Sequence, residues 1–152
     1  MGTWDWAEWH ADYDDPSSHL SRRLATVRHQ IRVALDAAPV GPIRVVSLCA
    51  GDGRDIIGAV ADHPRRPDVR GRLVELDPRL AARGRAGVAA AGVDLEVVEG
   101  DAARTDRYAG AVPAELVLVC GVFGNISDSD VEQTIAALPG FCLLYTSDAA
   151  DE

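Results

Sequence analysis

Gly51 and Gly53 follow a short apolar run (Ile43, Val45, Val46, Leu48) and precede a stretch that can form a helix. That layout is a parallel strand, a tight turn and a helix N-terminus. Without side chains at such a turn, a ligand presses against backbone while unpaired N–H groups point outward. The chemistry this suggests is the binding of a nucleotide-like cofactor. Three cysteines are the other reactive candidates: Cys49, Cys120 and Cys142. Their separation gives no metal-ligand spacing, and no histidine or base motif stands near Cys49 or Cys120. Cys49 and Cys120 read as small packing residues, and the cysteine usage as that of a reduced, cytoplasmic compartment.

The elements that must position the turn follow from periodicity and caps. Leu20, Leu24, Val27, Ile31 and Leu35 recur on one helical face, with Ser17 or Ser18 as cap and Pro39 and Gly41 at the close. Strand one then covers about Ile43 to Leu48, and a helix runs from about Arg54 to Ala61. HPRRPDVRG, from His63 to Gly71, reads as a loop. Strand two, roughly Gly71 to Leu76, meets Asp77 as N-cap and Pro78 at the first helical position. That helix should reach Ala91 and close on Gly92. Strand three covers about Asp94 to Val98 and leads into Glu99, Gly100, Asp101 and Ala102. Strand four, Leu116 to Cys120, is apolar throughout, as in a strand covered on both faces. Ser127 caps a last helix, with Asp128 and Asp130 in its first turn. This alternation predicts an α/β fold with an open, mostly parallel sheet, whose ligand site lies beyond the C-terminal strand ends.

Composition narrows the function. The 152 residues make one domain at most, and a formal charge of −9 argues against a phosphate-tracking nucleic-acid binder. No apolar run approaches the roughly 20 residues of a membrane span, and the N-terminus lacks a signal peptide's layout. All 15 basic residues are arginine. The dinucleotide fingerprint G-x-G-x-x-G fails, because the sixth position from Gly51 is Ile56.

In the order of these features the chain resembles the class I S-adenosylmethionine-dependent methyltransferases. Their first motif has an acid and three alternating glycines. Here the places are Ser47, Cys49, Gly51 and Gly53, so the acid and the first glycine are replaced. The resemblance implies a Rossmann-like methyltransferase fold that takes S-adenosyl-L-methionine, with Cys49 and Ala50 admitting the methionine part. Backbone carbonyls or Asp55 would hold the amino group. An acid ending strand two, Asp77 with Glu75 as the nearby alternative, would accept from the ribose hydroxyls. Asp101 and Ala102 would recognise adenine, and Cys120, Gly121 and Val122 would border the transferable methyl. The acceptor implied is a small molecule rather than nucleic acid, with no metal and no catalytic base identifiable. An oxidoreductase using a nucleotide or dinucleotide, and a truncated non-catalytic methyltransferase-like domain, stand as alternatives.

Residues 1–42 are expected to form an aromatic segment and helix. Trp4, Trp6 and Trp9 would either pack that helix or build a lid, with Tyr13 bonding the cofactor carboxylate and His10 a minority candidate for a base. Residues 43–140 would be the cofactor-binding core, with strands one to four present and the C-terminal strands missing. The tail 141–152 is expected to be artefactual, because CLLYTSDAADE, from Cys142 to Glu152, matches one translation frame of a transposon-end sequencing adapter. Sequencing the locus from intact genomic DNA should give a different continuation after about Gly140; the same tail in the genome would overturn this expectation.

Overall fold

The computed structural model describes residues 14–120 and 126–142. Four strands form one parallel sheet: β1 (Ile43–Leu48), β2 (Val69–Glu75), β3 (Leu95–Glu99) and β4 (Leu116–Leu118). The helices are α1 (His19–Ala37), α2 (Arg54–Val60), α3 (Pro78–Ala91) and α4 (Asp128–Phe141), with short 3₁₀ turns at Arg66–Asp68 and Thr105–Tyr108. The strand order is β3-β2-β1-β4. The chain therefore moves outward from β1 to β3 and then returns to the other side of β1. Neighbouring connections diverge at this reversal and leave a crevice above the strand ends, where open α/β sheets bind ligands.

Alternation along the strands sorts side chains between two apolar layers. On one face Ile43, Val45, Leu73, Leu95 and Leu118 pack with Ile31 and Leu35 of α1 and with Ile56, Ile57, Ala59 and Val60 of α2. On the other, Val46, Leu48 and Val74 meet Tyr108 and Ala114, with Val117, Val119 and Phe141 against them. The Phe141 ring lies 4.8 Å from that of Tyr108, and its carbonyl accepts from Ala114 N–H at 2.7 Å. Phe141, the first residue of the expected tail, thus belongs to this second layer. No helix among the described residues is long and apolar enough to cross a membrane.

The helix signals read from sequence produce the helices. Ser18 caps α1 by accepting from Ser21 N–H, and Ser127 caps α4 by accepting from Asp130 N–H. Asp77 caps α3, with Pro78 next, and Gly92 closes it in the left-handed conformation at φ 63°. Boundaries differ at three places. β2 starts at Val69, inside the expected His63–Gly71 loop, because Val69 is buried and pairs with Ile43. The flanking charges hide that one inward residue. Gly71 fits there because a Cβ would collide with the Val45 carbonyl across the sheet. β3 is displaced by one residue, and β4 stops at Leu118, two residues early.

The loop between α2 and β2 also carries two arginines that close helix ends. Arg65 donates through Nη1 to Ala38 O at 2.8 Å and through Nη2 to Pro39 O and Gly41 O at 2.9 and 3.0 Å, while Nε meets Asp68 at 2.7 Å. Arg66 reaches Ala61 O and Gly92 O, just past the ends of α2 and α3. Carbonyls at helix C-termini lack intrahelical partners, and a guanidinium supplies both donors and favourable charge there. Arg65→Ala is expected to cost about 2–4 kcal/mol in urea unfolding, since several charge-assisted bonds go at once. Arg70→Ala, which loses a 3.5 Å pair to Asp94 with both side chains about three-quarters exposed, should stay within about 0.5 kcal/mol.

Candidate functional site

Register brings the candidate residues to one edge. Leu48 pairs with Val74 and Glu75 with Glu99, so the segments after β1, β2 and β3 leave the sheet at nearly one level. Ala50 N–H donates to Val74 O at 3.0 Å and Gly100 N–H to Glu75 O at 2.9 Å, which fixes the first residues of both loops. The turn after β1 then runs through three left-handed residues: Cys49 (φ 53°), Gly51 (φ 61°) and Gly53 (φ 73°). At Gly53 a Cβ would lie 2.8 Å from Leu73 Cδ1 and 3.1 Å from Ile57 Cδ1, so glycine is required by both conformation and packing. Cys49 adopts the same kind of conformation with a side chain, a position costing of order 1 kcal/mol for an L residue.

Glu75, at the end of β2, bonds to this turn. It is only 9% exposed and shares the face of Leu73, the face on which α2 packs. Its carboxylate accepts from Gly51 N–H at 3.0 Å, from Leu76 N–H at 2.7 Å and from Asp77 N–H at 3.2 Å. Burial pushes its carboxyl above the usual glutamate range, and those three backbone donors oppose the shift without cancelling it. Oε1 accepts only from Gly51 among these bonds and keeps room for another donor. Asp77 is placed differently. Its Oδ1 accepts from Arg79 N–H at 2.8 Å and Leu80 N–H at 3.4 Å, and its Oδ2 meets the Arg79 guanidinium at 3.3 Å. The bond to Arg79 holds its carboxyl below the usual aspartate range. Between the two acids, Leu76 is 67% exposed, a large apolar surface at the strand edge.

The remaining candidates spread around this pair. Asp101 is exposed, with Oδ1 accepting from Ala103 N–H at 2.9 Å. Beneath it the buried Tyr108 donates to Ala102 O at 2.7 Å, tying the loop after β3 to the second apolar layer. Asp55, in the first turn of α2, accepts from its neighbour Ile56 N–H at 2.7 Å, and burial raises its carboxyl. Ala50 and Cys120 are half-buried against the first core layer. Tyr13, Gly121 and Val122 lie outside the described residues, as do Trp4, Trp6, Trp9 and His10. Among the described residues no group of three or more His, Cys, Asp or Glu side chains is placed to hold a metal ion.

No family model and no curated protein sequence matches the chain. Solved structures do. A S-adenosylmethionine-dependent methyltransferase from Thiobacillus denitrificans, in complex with S-adenosyl-L-homocysteine, superposes with a TM-score of 0.62 at 18% identity, covering 93% of this chain and 52% of that one. This is the fold of the class I S-adenosylmethionine-dependent methyltransferases. An RNA methyltransferase from Salinibacter ruber, also with S-adenosyl-L-homocysteine, matches at a TM-score of 0.51 and 26% identity over 72% of this chain and 65% of that one. A precorrin-6y C5,15-methyltransferase from Geobacter metallireducens matches at 0.50 and 19%, over 72% and 54%. The chain spans roughly half to two thirds of the length of these structures. The expected fold class, a Rossmann-like methyltransferase core with strands one to four, is what the structure has. The acceptor class differs among the neighbours, so fold alone does not decide between a small molecule and nucleic acid.

From sequence Glu75 is only the alternative to Asp77, and neither Leu76 nor Tyr108 is singled out; the structure places them beside the same loops. A signal existed for Glu75, since an acid in phase with inward-facing Leu73 points toward the core side of the sheet. Cys49 yields a test of this geometry. Desolvation, followed by the Glu75 and Asp101 charges, raises its thiol to about 11. With Cys120 and Cys142 replaced by serine, Cys49 should stay poorly reactive toward a thiol reagent at pH 8 and gain reactivity as pH approaches 11. A reactivity midpoint near that of free cysteine would mean that the exposed Cys49 side chain is not desolvated by its surroundings and that neither carboxylate acts on it.

Proposed function

We propose that this chain is the cofactor-binding part of an S-adenosylmethionine-dependent methyltransferase, and that Glu75 rather than Asp77 is the ribose acid. The observation that carries this is the Glu75 carboxylate, buried at the end of β2 beside the glycine turn and bonded to Gly51 N–H. Its Oε1 accepts from that one donor and has room for another. A ribose hydroxyl donating to Oε1 fits that position. Asp77 serves the start of α3, which accounts for its carboxylate without any ligand. Leu76 would offer an apolar platform for a purine ring, and Asp101, in the loop after β3, would accept from an exocyclic amino group. Cys49 and Ala50 border the methionine end. The solved neighbours with S-adenosyl-L-homocysteine bound support the same cofactor for this fold.

When bound, the cofactor supplies an electrophilic methyl group on a positive sulfur. What the protein adds is alignment and exclusion of water. Cys120, at the end of β4, lies on the methyl side in this reading, with Gly121 and Val122. A small-molecule acceptor suits the chain's net charge of −9 better than a polyanion does. A protonated thiol at Cys49 is no nucleophile near pH 7, so no covalent step is assigned to it.

Calorimetric titration with S-adenosyl-L-homocysteine tests the assignment. Glu75→Gln should weaken binding about tenfold or more by removing a charged acceptor. Asp77→Ala should lower stability by about 1 kcal/mol through the lost cap while changing affinity little. Because the Glu75 carboxyl is raised and the bound form needs the anion, wild-type affinity should begin to fall at a pH above the ordinary glutamate range, near 4.3. Glu75→Gln should lack that fall. Equal affinities for wild type and Glu75→Gln would remove Glu75 from the site; no binding by wild type would sink the cofactor reading for this chain.

A further inference from the structure

On the helical face a groove of about 480 Å³ opens between α1, α2 and α3. Three arginines and one carboxylate line it: Arg28 from α1, Arg54 from α2, Arg83 from α3, and Asp52 from the glycine turn. Glycines keep its floor low. A Cβ at Gly58 would run into the Arg28 guanidinium, and one at Gly87 would touch Ile57 Cδ1 at 3.4 Å. Arg28 is held flat by Nε and Nη2, both donating to Arg54 O at 2.9 and 2.6 Å, which leaves Nη1 outside that pair. Arg54 is oriented by Asp52, its Nε lying 2.9 and 3.0 Å from the two carboxylate oxygens. Arg83 is exposed and makes no hydrogen bond or ion pair with the other described residues. Asp55 also lies within electrostatic reach of Arg28. The lining still carries three guanidinium groups against one carboxylate, on a chain whose formal charge is −9.

We propose that this groove binds a phosphate group, as free phosphate or on a small phosphomonoester, between Arg28 and Arg83. Guanidinium forks match phosphate oxygens in geometry, and a groove of this size admits one small molecule. Such an occupant would span α2 and tie α1 to α3 across it. It would also touch the Asp52–Arg54 pair that borders the glycine turn. The inference does not depend on the cofactor reading, which concerns the sheet edge.

The test titrates the full chain with inorganic phosphate and, separately, with glycerol 3-phosphate, holding ionic strength constant with chloride. Thermal unfolding and calorimetry are the readouts. Wild type should show a saturable rise in Tm of about 2–4 °C, as expected for a ligand binding only the folded state. Tighter binding of the ester would assign the site to a phosphorylated metabolite; tighter binding of inorganic phosphate would assign it to the free ion. Arg83→Gln, at an exposed position, should fold normally and weaken the phosphate affinity at least fivefold while leaving S-adenosyl-L-homocysteine affinity unchanged. Glu75→Gln should do the reverse. A Tm rise that never saturates is the excluded-solute effect common to phosphate salts. That outcome, or equal binding by Arg83→Gln, would overturn the proposal.

Discussion

Helix α2 has seven residues, and a helix so short does not hold itself in water, where nucleation is costly and few hydrogen bonds repay it. The glycine turn is attached to its N-terminus, so the shape of the cradle depends on whatever pins this helix. Two things do. Ile56, Ile57, Ala59 and Val60 are buried against the sheet and α1. Arginines from outside then bind its carbonyls: Arg28 at Arg54 O, Arg32 at Gly58 O and Ala59 O, and Arg66 at Ala61 O just beyond its end. Apolar burial sets which face points inward, and the guanidinium groups fix how far the helix slides along the sheet.

With α2 fixed, the turn before it can hold a strained path. Gly51 and Gly53 take left-handed conformations freely, while Cys49 takes one at a cost. The Glu75 carboxylate helps to hold that path by accepting from Gly51 N–H, which joins the end of β2 to the turn after β1. Burying a carboxylate is unfavourable, and its raised pKa shows that burial outweighs the three donors around it. Charge placed at this cost, at the end of β2 against the glycine turn, is poor economy for folding alone.

Much of the fold could be read from the chain because each element carried its own signal. Ile43 to Leu48 is an apolar run; Asp77 and Pro78 start α3; Gly92 ends it. Those are local cues, and local cues survive without knowledge of neighbours. What could not be read was long-range. Nothing in HPRRPDVRG announces that Arg65 will close α1 and Arg66 the ends of α2 and α3, because their partners are carbonyls, which every residue has. Val69 was hidden in the same way by charged neighbours. At the site, Asp77 carried two compatible signals, a helix cap and a strand-end acid, and only geometry separates them. Strand parity does not separate the two acids, which share it; the end of β2 at Glu75 does, and element ends are the least legible part of a sequence.

In the cofactor role proposed for it, Glu75 would couple binding to its own ionisation. A hydroxyl donating to Oε1 would stabilise the charged form, adding a donor to the three that now fail to offset burial. Binding and deprotonation of Glu75 must then favour each other by equal free energies. Asp77 cannot play that part, because Arg79 and the first turn of α3 already hold its carboxyl below the ordinary range, so a further donor has little ionisation left to drive. The two acids are one residue apart, yet only the buried one can register a ligand in its protonation. That difference follows from where β2 ends: Glu75 is its last residue and accepts from the glycine turn, while Asp77 stands at the start of a helix.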